Sequence, residues 1–199
     1  MIRYRLYLFC FLILGCGGTE HQKPKEVIIV DTLVVDHSID PQLNEPVIPK
    51  GAVTANFNAD AVPFYAFVQK TDTLVGVTSI AFQKADVPSI AIHDAYGAKL
   101  SYLRFPEFDQ DLLLITAKIK DTSFNKYYLY QYRNDSWQLV VNRFAIHKNH
   151  VTDSLQPIIV DPSNSNNMLR YYSVFDLDKK SKLGYTWRLL KESIPILKE

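Results

Sequence analysis

Cysteine is nearly absent from this chain. Two of 199 residues are cysteine, Cys10 and Cys16, and none follows Cys16. Beyond residue 16 no intramolecular disulfide can form, so a domain there must stand on its apolar core alone. Glycine is scarce too, at seven residues. There is no G-x-x-x-x-G-K-[ST] loop, no G-x-G-x-x-G fingerprint and no G-x-S-x-G elbow, so glycine-built phosphate, dinucleotide and serine-nucleophile sites have no support, and no cofactor is implied. Excess charge is missing as well. Lys+Arg total 22 against 21 Asp+Glu, a formal charge of +1. A near-neutral chain gives no electrostatic case for nucleic acid as partner. Nor is there a long stretch with a convincing 3.6-residue apolar stripe.

What is present begins with the N-terminal pattern. Arg3 and Arg5 occur without an acid, Leu6 to Leu14 is an unbroken apolar run, and Ile13-Leu14-Gly15-Cys16 closes it. A basic start, a short apolar run and a small residue before the cut describe a secretory signal. The run is about half of the roughly 20 residues that a spanning helix needs. Ile13-Leu14-Gly15-Cys16 resembles the lipobox of bacterial lipoprotein precursors, with Ile13 where leucine is usual. The resemblance covers only this N-terminal stretch. It implies a diacylglyceryl group on the Cys16 thiol, cleavage after Gly15 and acylation of the new amino terminus. Residues 1–15 are then a signal peptide, and the mature chain is tied by lipid to the periplasmic face of a membrane or to the cell surface. Two or three acyl chains hold a protein firmly, where one does not.

Residues 16–50 read as a tether, with Gly17-Gly18 near its start and Pro41, Pro46 and Pro49 near its end. Within it lies EVIIVDTLVVD, Glu26 to Asp36, an edge strand or an extended spacer. Residues 51–199 read as a single β-rich domain. Apolar runs alternate with turn chemistry, and hydrophobic residues make up 47% of the chain, a globular share. Strands are expected at 64–69, 74–82, 89–93, 99–105, 112–119, 126–132, 137–144, 157–160, 169–177 and 185–191, with a short helix allowed near 191–198. The fold expected is all-β and mainly antiparallel, a sandwich or partly closed barrel. A small propeller-like repeat is the alternative.

The sharpest local expectation is a hairpin over Lys126 to Asn142. With Asn134-Asp135 as a two-residue turn, opposed residues share a face. Tyr128, Tyr130, Tyr132, Trp137, Leu139 and Val141 then fall together, and this aromatic face is the expected core. A looser echo follows, in which Tyr171-Tyr172 precedes Trp187-Arg188-Leu189. Repeats of about 40–50 residues occur in propeller blades, which motivates the alternative.

Site-like clusters are few. His147 and His150, followed by Asp153, would share one face of a helix and could ligate a transition metal, but a polar loop is the better reading and three or four ligands are the usual requirement. His93 is the remaining histidine weighed. Asp176-Leu-Asp178-Lys-Lys-Ser181 has alternating acids but lacks the central Gly and distal Glu of a calcium loop, so a solvated hairpin loop is expected. Asp161 to Asn167 is turn chemistry. Glu107, Asp109 and Asp111 could be paired carboxylates for glycoside hydrolysis, yet read as surface residues around a turn. Tyr127, Tyr172, Tyr185 and Trp187 are candidates for an aromatic binding platform. The function expected is non-catalytic: a lipid-anchored module that binds a glycan or another envelope protein. An envelope hydrolase is the alternative.

Overall fold

The computed structural model describes residues 47–60 and 62–196. The signal stretch, Cys16 and Glu26 to Asp36 lie outside these residues. Three antiparallel sheets follow one another along the chain, and none closes into a barrel. The first contains β1 (Val53–Ala55), β2 (Phe64–Asp72), β3 (Val77–Phe82) and β4 (Ile90–His93) in sequence order. The second contains β5 (Ala98–Leu103), β6 (Leu112–Lys118), β7 (Phe124–Arg133) and β8 (Ser136–Leu139), with β9 (Phe144–His147) also paired to β7. The third contains β10 (Ile158–Val160), β11 (Asn167–Leu177) and β12 (Tyr185–Pro195). Among the described residues the helical structure is one 3-10 turn, Lys148–His150.

The second sheet is the middle of a sandwich. Its strand β6 begins LLLI, and Leu112, Leu113, Leu114 and Ile115 are all buried. Successive strand residues point to opposite faces, so an unbroken apolar run requires cover on both. Leu113, Ile115 and Tyr128 pack with Phe64, Ile80 and Ile92 of the first sheet. Leu112, Leu114 and Leu129 pack on the other side with Phe105, Ile146, Ile158 and Met168. The first core belongs to the first and second sheets. The second core joins the second and third sheets with intervening segments.

The hairpin register is as expected from Arg133↔Ser136 through Tyr130↔Leu139. Asn134 and Asp135 sit at φ +50° and +55°, the left-handed pair that a tight primed turn requires. Trp137 stacks on Phe82 at 4.7 Å and donates its indole N–H to the Pro88 carbonyl at 3.0 Å, which fixes the aromatic face against the first sheet. Two members of the expected face fall elsewhere. Leu139 is exposed, and Val141 is buried in the second core. The expected strand 137–144 is broken: from Tyr130↔Leu139 to Tyr127↔Phe144, β7 advances three residues while the partner strand advances five. The excess loops out and turns Val141 to the opposite side.

Other boundaries differ for local reasons. The strand expected from Leu74 starts at Val77. The Asp72 carboxylate accepts the N–H groups of Leu74 and Val75, and Gly76 at φ +67° completes the turn. A Cβ on Gly76 would lie 3.0 Å from the Tyr96 ring, so the position admits no larger residue without strain. The helix allowed near 191–198 is strand through Pro195, because Glu192, Ser193, Ile194 and Pro195 pair with β11 and Ile194 packs on the second core. Asp111 is not a surface acid. It is buried, its carboxylate accepts the Asn56 N–H at 2.8 Å and meets Arg104 at 3.1 Å, and it ties the loop before β6 to the end of β1. Turn chemistry does hold for Asp161 to Asn167. The buried Asp161 accepts from the Ser193 hydroxyl and, to a smaller extent, from the Ser163 N–H, which holds its carboxyl below the usual carboxylate range.

Burial raises the Tyr127, Tyr130 and Tyr132 phenols above their ordinary value of 10.0, with Asp135 and Asp86 adding to the effect at Tyr132. Unfolded tyrosines release protons near pH 10 while these folded ones still hold theirs, so the folded state binds more protons and stability falls with rising pH. The tyrosine contribution is expected to be fully present below about pH 10, with progressive loss above it. Urea midpoints measured from about pH 9 to about pH 12 should show the fall, and Tyr127→Phe should flatten it. A variant as steep as the parent would exclude Tyr127 as a contributor.

Candidate functional site

Two cross-strand pairs come together where β9 packs against β11. Phe124 on β7 opposes His147 on β9, and Phe175 on β11 opposes Trp187 on β12. Phe124 meets Trp187 edge-on at 4.8 Å, and His147 stacks on Trp187 at 5.6 Å with planes 18° apart. Phe175 lies 5.0 Å from Trp187, and Tyr185 stacks on Phe175 at 5.3 Å. The result is a continuous ledge of five rings. It is half-buried at Phe124, His147 and Trp187 and opens outward, with Phe175 at 56% and Tyr185 at 46% exposure. Residues two apart on each arm of the β11–β12 hairpin share a face, so Phe175, Leu177, Tyr185 and Trp187 are aligned by strand geometry alone.

The ledge is braced from behind. Ser173 Oγ accepts the His147 N–H at 2.9 Å and lies 3.0 Å from His150 Nδ1. His147 Nδ1 accepts the Asn149 N–H at 3.3 Å, so the neutral ring carries its proton on Nε2. Ser173 thereby joins β11 to the end of β9 and to the 3-10 turn. On the opposite face of the third sheet, Arg188 pairs with Asp176 at 3.3 Å, and the Arg170 guanidinium lies over both Phe144 and Tyr172.

The four aromatic candidates separate. Tyr185 and Trp187 belong to the ledge. Tyr172 faces the other side of the same sheet, because it is one residue out of phase with Ser173. Tyr127 is buried in the second core, stacked on Phe144 at 5.3 Å. Phe124 and Phe175 complete the ledge and were not singled out from the sequence. The alternation Phe175-x-Leu177 before Tyr185-x-Trp187 was a readable sign of one shared hairpin face, whereas Phe124 joins only through the fold.

The histidine pair is not on a helical face. His147 ends β9, His150 ends a single 3-10 turn with ring centroids 6.1 Å apart, Asp153 is exposed in the following loop, and His93 ends β4 in a different sheet. Among the described residues no group of three or more His, Cys, Asp or Glu is placed to hold a metal ion. Asp176 and Asp178 flank the start of the β11–β12 loop, which is a hairpin loop as expected. Clefts lie elsewhere among the described residues. One, of 480 Å³, lies beside Asp60, Asp86, Gln110 and Asp135, and another, of 490 Å³, beside Asp161, Tyr171 and Lys191. Neither is lined by a histidine. Among the described residues no helix is long and apolar enough to cross a membrane. Comparison with protein-family models, curated proteins and solved structures gives no match.

Proposed function

We propose that this chain is a lipid-anchored bacterial envelope protein whose β domain is a non-catalytic binding module, with the ring ledge as its docking face for a glycan or another envelope protein. The observation that carries the binding reading is the exposed, ordered outer half of the ledge. Aromatic side chains dominate binding hot spots because they present large area at low entropic cost. Phe175 and Tyr185 are each about half exposed, so covering what remains would contribute about 1 kcal/mol apiece. The anchor reading is supported by the N-terminal pattern that ends in Cys16. A hydrolase is the rival, and the His150–Ser173 contact is what favours it. Against it, among the described residues no carboxylate bonds to His150 to orient it as a base.

A pull-down from the native envelope tests both halves. The Phe175→Ser/Tyr185→Ser double variant should lose partner capture by at least about tenfold, while remaining folded by circular dichroism, since both side chains are about half exposed and belong to neither core. Protease treatment of the extract distinguishes a protein partner from a glycan. Undiminished capture by the double variant would remove the ledge as the docking face. Cys16→Ser should release the chain from membranes and abolish fatty-acid labelling, and persistent label would end the anchor reading.

A further inference from the structure

The β11–β12 tip lies just beyond the ledge and has a chemistry of its own. Its loop is ordered by its own hydrogen bonds. Asp178 N–H donates to the Gly184 carbonyl at 2.9 Å, Ser181 N–H to the Asp178 carbonyl at 3.0 Å, and the Ser181 hydroxyl to the Tyr185 carbonyl at 2.7 Å. Turn residues alone would satisfy such a loop. This one also holds Leu183 out at 82% exposure and Leu177 at 63%. Around them stand Lys179, Lys180 and Lys182, all facing solvent or nearly so. The acid in the loop is Asp178, whose carboxylate accepts the Lys180 N–H. Behind the loop the Arg188–Asp176 pair cancels itself. A nearly neutral chain thus carries a compact positive, apolar tip.

We propose that this tip is a membrane contact: Leu177 and Leu183 enter the acyl boundary of an anionic bilayer while Lys179, Lys180 and Lys182 lie among its headgroups. Two observations select a lipid surface. A hairpin tip projects from its sheet, and a bilayer can receive such a tip without a preformed pocket, which a protein partner would have to supply. Lysines beside exposed leucines also match the interface, because the alkyl stem can lie along apolar surface while the ammonium reaches the phosphates. Each lysine near an anionic surface raises partitioning about fivefold, so three give roughly a hundredfold. Removal of a lone Leu183 side chain should weaken contact further. The inference rests on neither the ledge nor Cys16, because it uses other residues.

The test uses the full chain with Cys10→Ser and Cys16→Ser, and with Leu183→Cys carrying an environment-sensitive NBD group. Vesicles are phosphatidylcholine with or without phosphatidylglycerol. On the phosphatidylglycerol vesicles NBD emission should rise severalfold, shift to the blue and be quenched by doxyl groups on the acyl chains. Omission of phosphatidylglycerol, added salt, or the Lys179→Gln/Lys180→Gln/Lys182→Gln variant should suppress the rise, since screening shortens the reach of the charges. The readout is local to position 183, so attachment through the apolar N-terminal run does not imitate it. NBD emission at its aqueous value on anionic vesicles would overturn the proposal, whether or not the chain sediments with them. A rise that needs no vesicles and follows protein concentration would assign the tip to a second copy and overturn it equally.

Discussion

Leu113→Ala and Leu114→Ala are each expected to lower the unfolding free energy by about 2–5 kcal/mol. In a sheet with one wet face, neighbours on a strand differ sharply: one is core and the next is solvent. Here both are buried, Leu113 at 0% and Leu114 at 4% exposure, and they belong to different cores. Truncation of either removes three carbons from a packed site that collapses only in part, so the transfer and cavity costs add. Urea unfolding of the two single variants measures this directly. A cost below about 0.5 kcal/mol for either, the level typical of surface substitutions, would mean that one face of the second sheet is not covered as described. The pair therefore tests the layer order more sharply than any one substitution.

Trp137→Ala should cost about 3 kcal/mol, although Trp137 is not fully buried. The ring lies on a four-residue strand, β8, that would hold little structure alone. Four contacts of different kinds hold it: the stack on Phe82 of the first sheet, an edge contact with Phe57 at 5.9 Å, the hydrogen bond to Pro88 just before β4, and, within its own sheet, a tilted contact with Tyr132 at 5.2 Å. Aromatic contacts add to area burial, and loss of the indole also leaves the Pro88 carbonyl without this donor. Trp137→Phe should recover most of the packing but not the hydrogen bond, at a cost of about 1 kcal/mol. Equal losses for the two variants would show that the hydrogen bond, not the ring, is what matters. The corresponding Trp187→Ala at the ledge should cost less, because its neighbours Phe175 and Tyr185 are already exposed.

The contrast between the two tryptophans shows what was legible in the sequence. The two Tyr-Tyr…Trp stretches looked alike, yet one tryptophan closes a core and the other opens a surface. Period-2 patterning gave the faces of the Lys126 to Asn142 hairpin, because the turn chemistry at Asn134-Asp135 pinned the register. The same patterning could not say how many faces were covered. That property depends on which sheets stack, and it is why Tyr127 appeared available for binding when it is core. Loop acids failed for a similar reason. Asp111 reads as one more polar turn residue until the chain returns Asn56 to it. Of the ledge, Tyr185 and Trp187 were found from composition, and Phe175 was readable from its alternation with Leu177. Phe124 and His147 reach the ledge only through the contact of β9 with β11, which has no local signal.

The middle position of β6 has a consequence before the fold exists. A strand apolar on both sides has no solvent face to keep it apart from its own kind. In the unfolded chain, LLLITA is therefore a segment apt to pair with another molecule and aggregate. Asp111 stands directly before it and Lys118 at its end, charges of opposite sign in the flanking positions that gatekeeper residues occupy. Asp111 thus serves twice: as a guard of the run while the chain is loose, and as a buried tie to Asn56 once the sheets have closed over it.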